Sequence, residues 1–375
     1  MSNAHVKRAM GALLGAGLAL SAGGAGADWE VNMTEGVTGI SRTVYDLHML
    51  IFWICVVIGI VVFGAMFYSI IKHRKSKGHQ AAQFHESTTV EVFWTLVPFL
   101  ILVGMAIPAT KTLIAMEDTS NADMTIKVTG YQWKWHYDYM DDGISFFSNL
   151  STPREQIENR ADKGDHYLLE VDNAVVVPVN TKIRFLVTAN DVIHSFWVPE
   201  LAVKKDAIPG FVNEIWTRID EPGTYRGQCA ELCGKDHGFM PIVVVALEEQ
   251  EYLNWVDEQK AAREAELLAS GKDWGLADLM AKGESVYGTN CAACHQANGE
   301  GLPGMFPAIK GSQIATSDLS KHLDIVMHGK PGTAMAAFGP QLSDVELAAV
   351  LTYQRNAFGN DTGDIVQPSD IKAAR

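Results

Sequence analysis

The stretch CAELCGKDHGFM, Cys229 to Met240, concentrates four soft metal ligands in one short segment. Two cysteines are followed by a histidine and a methionine, in the pattern C-x3-C-x3-H-x2-M. Thiolate, thioether and imidazole groups select copper, zinc or iron–sulfur clusters rather than magnesium or calcium. Methionine is a poor zinc ligand, whereas Cys, His and a weak axial Met form copper electron-transfer sites. The pattern therefore favours copper, with a Cys229–Cys233 disulfide as the alternative in an oxidising compartment.

A second cysteine pair lies in CAACH, Cys291 to His295. C-x-x-C-H is the attachment pattern of covalent haem c, in which both cysteines form thioethers and the histidine is the proximal iron ligand. A redox-active C-x-x-C pair is the alternative, and the adjoining histidine disfavours it. The sixth ligand of such an iron is usually methionine, for which Met305, Met327 and Met335 are the candidates.

The elements that position these groups begin with segments for export and membrane insertion. A basic start, a short apolar run and the small residues AGA predict a signal peptide over residues 1–27. Two longer apolar runs, 47–71 and 90–116, exceed the ~20 residues that span a bilayer, so residues 28–117 are predicted to form a transmembrane hairpin. The loop KHRKSKGH between the runs is basic, which places it in the cytoplasm and the rest of the chain outside.

Three changes of composition divide the rest of the chain. Residues 118–247 carry short Val-, Ile- and Tyr-rich segments broken by Gly, Pro and Asn, typical of an all-β sandwich. Residues 248–275 are charged and helix-favouring, and predict a solvated helical linker. Residues 276–360 predict an all-α domain around CAACH, and residues 361–375 form a C-terminal tail. The expected fold class is therefore multi-domain.

Charge narrows the choice of partners. The 375 residues carry a formal net charge of −14, which argues against nucleic-acid binding and suits a basic partner protein. The fifth cysteine, Cys55, lies in an apolar run and is interpreted as a packing residue.

One more ligand for the copper segment lies upstream, in NDVIHSFWVPE. His194 follows the strand-like stretch TKIRFLVTA, and sandwich copper proteins build their sites from such a histidine and a later Cys-containing loop. Together with LEVDNAVVVPVN, KKDAIPG and GQCAELCGKDHGFMPIVV, this makes residues 28–254 resemble cytochrome c oxidase subunit II. The resemblance implies a cupredoxin-like sandwich that carries the dinuclear copper centre CuA.

The resemblance implies roles for six residues that hold two copper ions through bridging thiolates, capping imidazoles and weak axial ligands. They are Cys229, Cys233, His194, His237, Met240 and the backbone carbonyl of Glu231. It also implies that the Glu231 carboxylate binds magnesium at the boundary with subunit I, since carboxylates suit that hard cation. A solvated loop acid is the alternative interpretation of Glu231.

Two further residues take roles from the same resemblance. Trp133, in GYQWKWHYDY, matches the surface tryptophan at which electrons arrive from cytochrome c. Alternation would place Trp133, Trp135 and Tyr137 on one strand face, where ordinary packing is the alternative role. Many relatives have tyrosine where this chain has Lys134, which leaves the docking of a donor open. Glu91 matches the mouth of a proton path into subunit I, with an interfacial acid as the alternative.

The C-terminal domain resembles a class I cytochrome c. The segment AAFGPQLSDVELAAVLTYQRN ends like the C-terminal helix of that class, and Ser343 and Glu346 predict a capping box at its start. Class I cytochromes place the methionine ligand in the loop before this helix, so Met335 is preferred. His328, the nearby nitrogen alternative, is expected at the surface.

These resemblances predict the electron-input subunit of a terminal respiratory oxidase, a cytochrome-c oxidase. Electrons would pass from an external donor through haem c and CuA to subunit I, which reduces dioxygen to water and pumps protons. Expected partners are subunits I and III, a periplasmic cytochrome c or other donor, and the lipid bilayer. The expected location is the bacterial inner membrane, with both termini and both redox domains on the periplasmic side.

Three other kinds of protein share part of this pattern but fit the sequence less well. A quinol oxidase subunit II keeps the fold but lacks the copper ligands. A copper-binding thiol-redox or assembly factor would explain neither the membrane hairpin nor CAACH. Nitrous oxide reductase carries CuA on a sandwich but lacks the hairpin.

Overall fold

The computed structural model describes residues 32–78, 80, 83 and 85–375, so the predicted signal peptide lies outside the described residues. The chain divides into two compact units, residues 1–36 with 45–81 and residues 37–44 with 82–375. Most of helix α1, Gly39–Lys72, belongs to the first unit. Its apolar side chains surround the helix, as expected for a helix in lipid rather than on a protein surface.

Helix α2, Thr88–Glu117, opens the continuous part of the second unit. Pro98 and Pro108 lie inside α2 without ending it, as proline is tolerated in membrane helices. Both α1 and α2 are long and apolar enough to cross a membrane. The two apolar helices of the predicted fold class are therefore confirmed.

The centre of the second unit is a sandwich of two five-stranded sheets. The strands are β1 Met124–Tyr131, β2 Lys134–Tyr139, β3 Ile144–Ser148, β4 Val175–Pro178, β5 Ile183–Ala189, β6 His194–Val198, β7 Val203–Ala207, β8 Asn213–Thr217, β9 Gly223–Cys229 and β10 Pro241–Leu247. Their order is β3-β2-β1-β5-β8 in one sheet and β4-β10-β9-β6-β7 in the other. The pairs β1 with β5 and β4 with β10 are parallel, and the other pairs are antiparallel.

Alternation along the strands builds the sandwich core, because successive side chains point to opposite faces. In β2 the inward residues Trp135, Tyr137 and Tyr139 are buried. The predicted strand is wrong only at Trp133, which lies in the turn before β2 but packs against the same core as Trp135 and Tyr137. Lys134 falls on the outward face of β2 yet is only 8% exposed.

Further α-helices of the second unit lie between the strands or follow them. They are α3 Arg154–Ile157, α4 Glu249–Ser270, α5 Leu276–Asn290, α6 Ala292–His295, α7 Gln313–Thr316, α8 Leu319–His328, α9 Asp344–Asn356 and α10 Pro368–Ala374. Helix α4 is charged as the sequence indicates, but Tyr252 and Val256 on it are buried with the sandwich core. The Tyr252 hydroxyl donates to Asp142 Oδ2 at 2.8 Å, which attaches the start of α4 to the β2–β3 turn.

The C-terminal helices form their own core, which confirms the predicted all-α domain. Helix α9 starts with the predicted capping box, in which Ser343 accepts from the Glu346 backbone and Glu346 accepts from the Ser343 backbone. Helices α5 and α9 pack closely at Gly283, where an added Cβ would lie 2.2 Å from the carbonyl oxygen of Ala349. Glycine is therefore required at this crossing.

Candidate metal centres

Two adjacent strands of the second sheet bring the first cluster of ligands together. His194 begins β6 and Cys229 ends β9, and these strands pair in antiparallel fashion. The ligand atoms of His194, Cys229 and Cys233 all lie within 4.8 Å of one another, and all three residues are buried. Cys229 Sγ is 3.9 Å from Cys233 Sγ and 4.0 Å from His194 Nδ1. A disulfide would require about 2 Å between the sulfur atoms, so both cysteines are free thiols.

The loop after β9 supplies the other predicted ligands. Cys233 Sγ lies 3.5 Å from His237 Nδ1 and 3.6 Å from Met240 Sδ. Cys229 Sγ lies 3.3 Å from the backbone oxygen of Glu231. Met240 is buried, whereas the Glu231 residue is exposed. The six groups predicted to hold copper therefore form one continuous cluster.

Hydrogen bonds within the cluster separate the acidities of its two thiols. The contact with Cys233 lowers the pKa of Cys229 well below that of an ordinary thiol, with His194 acting in the same direction. The same contact raises the pKa of Cys233. One proton is thus lost easily, and a metal cation that displaced the second would leave two thiolate ligands. Burial would lower the pKa of His194, but hydrogen bonds with Asp191 and Cys229 raise it.

Asp191 orients the His194 imidazole, and the sequence analysis did not identify it. Its Oδ1 lies 2.9 Å from His194 Nε2, so Nδ1 is the nitrogen that faces Cys229. The backbone amides of Gln132 and Val192 donate to the same carboxylate at 2.8 and 2.7 Å. Carboxylates that hold the second nitrogen of a ligand histidine are common around metals. The signal was present as an aspartate three residues before the histidine in NDVIH.

Replacing Asp191 by alanine is expected to lower copper affinity by roughly 10–100-fold, the usual effect of losing such an outer partner. The ligands all remain, but the imidazole loses the bond that fixes its tautomer and ring direction. Competition with a chelator of known copper affinity measures the change. Asp191→Asn is the matched variant, because its carbonyl oxygen can still accept from His194, and it should retain most of the affinity. Equal affinities for wild type and Asp191→Ala would contradict this role.

Close packing around the His194 imidazole limits the size of the residues that can lie beside it. A Cβ at Gly130 would lie 2.7 Å from His194 Cδ2, closer than real Cβ atoms approach, so glycine makes room for the ring. The Trp135 ring packs edge-on to the imidazole, with centroids 5.9 Å apart.

The turn between β1 and β2 is hydrogen-bonded to the backbone of the segment Cys229 to Met240, here called the copper loop. Gln132 Nε2 and Trp133 Nε1 donate to the carbonyl oxygen of Cys233 at 2.8 and 3.2 Å. Trp135 Nε1 donates to the carbonyl oxygen of Met240 at 3.2 Å. The half-buried Trp133 is therefore one hydrogen bond from a cluster cysteine.

The CAACH segment forms the second centre, where α5 ends and the short helix α6 begins. Cys291 is buried, and burial raises its pKa to about 12. Cys294 is half-buried, and burial raises its pKa as well. His295 Nδ1 lies 2.8 Å from the carbonyl oxygen of Pro307, and because a carbonyl oxygen can only accept, Nδ1 donates this hydrogen bond. An imidazole held in this way is oriented to bind iron through Nε2.

The three candidate methionines differ in their surroundings. Met335 is half-buried and packs against the helical core, from the loop before α9. Met305 is 65% exposed, and Met327 is fully within the core on α8. His328 is exposed and pairs with Asp324 at 2.9 Å, as expected for a surface residue.

Two hydrogen-bonded polar side chains, Gln354 and His322, extend from Cys291 into the domain. Gln354 Nε2 donates towards Cys291 Sγ at 3.7 Å, and Gln354 Oε1 lies 2.8 Å from Nε2 of the buried His322. Burial lowers the pKa of His322 from 6.5 to about 4. The folded domain thus holds His322 neutral at pH values where the unfolded chain binds a proton.

Acid is therefore expected to destabilise the helical domain. The contribution of His322 is complete above pH 6.5 and is lost as the pH falls towards about 4, because the unfolded state then binds the additional proton. The loss is at most about 3–4 kcal/mol, since the pKa falls from 6.5 to about 4 and each pKa unit corresponds to ~1.4 kcal/mol. Urea unfolding across this window measures it. His322→Gln keeps a donor for Gln354 without titrating, and an unchanged slope in that variant would assign the acid sensitivity to other groups.

One predicted residue, Glu91, stands apart from both centres, whereas Glu231 takes part in the copper cluster by its backbone alone. Glu91 lies exposed in the first turn of α2, where the Ser87 amide donates to its carboxylate at 3.4 Å. A carboxylate there is favoured by the helix dipole. The exposed residue Glu231 contributes its backbone oxygen to the copper cluster.

Comparison with known families matches three consecutive parts of the chain. Residues 26–112 match "Cytochrome C oxidase subunit II, transmembrane domain", and residues 124–247 match "Cytochrome C oxidase subunit II, periplasmic domain". Residues 278–353 match "Cytochrome C oxidase, cbb3-type, subunit III". A probable cytochrome c oxidase subunit 2 of Rickettsia bellii (strain RML369-C) is 38% identical over 249 residues, 66% of this chain and 89% of the relative. The chain belongs to the cytochrome c oxidase subunit II family.

Other members of the subunit II family have comparable sequence identity to this chain. Cytochrome c oxidase subunit 2 of Mycosarcoma maydis is 38% identical over 237 residues, which is 62% of this chain and 91% of the relative. The solved periplasmic domain of subunit II of cytochrome oxidase of Bradyrhizobium japonicum is 46% identical, with a TM-score of 0.35. That match covers 38% of this chain and 98% of the solved domain.

Family membership confirms several predictions. The chain is a cytochrome-c oxidase subunit II with a fused cytochrome c domain, and its two domains imply copper and haem. The two apolar helices fit a membrane-anchored subunit II. As a subunit II it assembles with other oxidase subunits. The alternative of a copper-binding assembly factor is not favoured.

Proposed function

We propose that this subunit II takes electrons from a periplasmic donor at haem c and delivers them through a dinuclear copper centre to subunit I, which reduces dioxygen to water and pumps protons. The observation that carries the proposal is the buried soft-ligand cluster, with its two thiol sulfurs 3.9 Å apart and an imidazole beside each. A centre of this kind stores and releases single electrons.

The donor set fits a pair of copper ions better than one zinc ion. Cys229 and Cys233 are close enough to share two metals, while His194 and His237 flank the pair from opposite ends. Met240 and the Glu231 carbonyl add the weak ligands typical of copper electron-transfer sites. The rigid strand ends, with Asp191 behind His194, hold these groups in place, and small rearrangement favours rapid electron transfer.

The CAACH segment fits covalent haem c. Cys291 and Cys294 would hold the porphyrin by thioethers, and His295 would bind iron through the nitrogen opposite its bond to Pro307. Met335 is the proposed second axial ligand, since its loop packs on the helical core. Trp133 is proposed as the conductor towards copper, supported by the bond from its indole to Cys233.

The remaining roles concern the assembled oxidase. Subunit III and a periplasmic cytochrome c are proposed as further partners, in a bacterial inner membrane with both redox domains on the periplasmic side. The exposed Glu231 carboxylate is proposed to bind magnesium at the boundary with subunit I. Glu91, at the exposed start of α2, is proposed to lie at the mouth of a proton path.

Purified whole oxidase tests the proposal by metal count and spectroscopy. Electron paramagnetic resonance should show one unpaired electron shared equally by two copper nuclei. The pyridine haemochrome spectrum should show haem c that acidified acetone does not extract, since thioethers are covalent. Zinc in place of copper, or a Cys229–Cys233 disulfide in correctly matured oxidase, would overturn it.

A further inference from the structure

The outward face of β2 carries a lysine that is buried without belonging to the sandwich core. Lys134 points away from the core residues Trp135 and Tyr137, yet it is 8% exposed. Lys127, on the outward face of the neighbouring strand β1, has a side chain that is 42% exposed. A lysine is seldom buried unless its ammonium group has partners.

The groups that cover Lys134 come mainly from the cytochrome c domain. Its Nζ donates to Asn290 Oδ1 at 3.1 Å, and Asn290 is the last residue of α5, directly before Cys291. Lys134 Nζ also lies 5.6 Å from the Phe338 ring centroid and 4.6 Å from that of Phe147 on β3. Asn290 Nδ2 donates to its own helix at Val286, which turns Oδ1 towards the lysine.

The pKa of Lys134 agrees with its close approach to the cytochrome c domain. Burial lowers the pKa of Lys134 to about 8, while the Cys291 thiol and the carboxylates of Asp172 and Glu346 act in the opposite direction. Lys134 is therefore within electrostatic reach of Cys291 in the cytochrome c domain.

The contacts of Lys134 lie next to Trp133. Lys134 directly follows Trp133 in the chain, so its bond with Asn290 places the cytochrome c domain beside this tryptophan. On the other side of the indole, Lys235 Nζ lies 5.2 Å from the Trp133 ring centroid.

We propose that Lys134 and Asn290 form a latch that docks the fused cytochrome c domain beside Trp133, so that an external donor meets haem c before it reaches the copper centre. The inference rests on the proposed function for its electron route, and it adds the docking surface and the point at which electrons arrive. The latch residues touch no metal ligand by their side chains; they act by positioning the haem-bearing domain.

Amine labelling of the whole oxidase tests the latch without relying on activity. Brief acetylation with N-acetoxysuccinimide, followed by mass spectrometry, gives the labelling ratio of Lys134 to Lys127. Burial is what lowers the pKa of Lys134, so an undocked and accessible Lys134 would have the pKa of an ordinary lysine and would react about as fast as Lys127. Slower labelling of Lys134 than of Lys127 in wild type is therefore expected from the latch. Labelling of Lys134 as fast as Lys127 would overturn it.

Asn290→Ala should raise Lys134 labelling roughly tenfold, because the charge-assisted bond that favours docking is lost. Thr289→Ala is the matched control, since this exposed neighbour bonds only within its helix and should leave labelling unchanged. Protection that persists in Asn290→Ala would also overturn the latch. Alanine suits the end of α5, so the domain is expected to fold.

A kinetic measurement tests whether the latch affects electron transfer from haem c to copper. After flash reduction of haem c by a ruthenium trisbipyridine complex, electron transfer to copper should be roughly tenfold slower in Lys134→Ala and unchanged in Lys127→Ala. An equal rate in wild type and Lys134→Ala would overturn the positioning role. Samples lacking the shared-electron copper signal or the thioether haem would instead contradict the proposed function, while their labelling ratio would still report docking.

Discussion

Cys229→Ser is expected to eliminate the dinuclear copper signal and to abolish electron delivery to subunit I, while haem c remains attached. Cys229 lies at the centre of the cluster, where its sulfur contacts Cys233, His194 and the Glu231 carbonyl. Serine is nearly isosteric, but its hydroxyl stays protonated and is a hard ligand that cannot bridge two copper ions as a thiolate does. The loss should exceed the roughly 10–100-fold effect of an outer partner such as Asp191.

The measurement combines copper content, electron paramagnetic resonance and oxidase turnover on the purified complex. Cys55→Ser is the matched control: the same chemical change is made at an exposed position of α1, where none of the copper ligands lies. It should keep both copper ions and turnover. Retention of the shared-electron signal in Cys229→Ser would remove this cysteine from the ligand set, and a missing haem c signal would point to misfolding instead.

The copper loop could be predicted because its ligands are local. Five of the six groups lie in the segment Cys229 to Met240, and the spacing of its two cysteines, histidine and methionine indicates copper chemistry. His194 is distant in sequence, and its place beside Cys229 depends on the pairing of β6 with β9. The family resemblance supplied that pairing, whereas residue spacing could not.

The supporting residues could not be predicted, because their roles exist only in three dimensions. Gly130 is one glycine among many until β1 is seen to pass against the His194 ring. Asp191 resembles any loop acid until its carboxylate meets Nε2. Lys134 was noticed as a departure from its relatives, but its burial depends on contacts with a domain far along the chain.

The helices show the same difference: features set by the local sequence could be predicted, and features set by tertiary contacts could not. The capping box of Ser343 and Glu346 is local and was predicted correctly. Helix α4 was predicted as a solvated linker from its charges, and its helical character is local too. The burial of Tyr252 and Val256 depends on the sandwich surface beside them, which charge patterning does not reveal.

Gly283→Ala is expected to destabilise the cytochrome c domain, although alanine normally favours a helix. The added Cβ would lie 2.2 Å from the Ala349 oxygen and 2.6 Å from Tyr353 Cβ, so α5 and α9 would have to separate. Because the nearest atom is a backbone carbonyl, no side-chain rotation relieves the contact. Overpacking of this kind typically costs about 1–3 kcal/mol, and at a helix crossing the loss should lie at the upper end.

Gly288→Ala, on the same helix, is expected to raise the stability of the domain. Gly288 is exposed and has open space where a Cβ would be, so alanine should stabilise α5 by about 1 kcal/mol. Guanidinium unfolding of both variants, followed by the haem c absorption band, separates the two effects. If Gly283→Ala were as stable as Gly288→Ala, α5 and α9 would not be in contact at this point. A selective loss in Gly283→Ala would locate the stability of the haem-bearing domain in that helix crossing, because helix propensity alone predicts a gain at both positions.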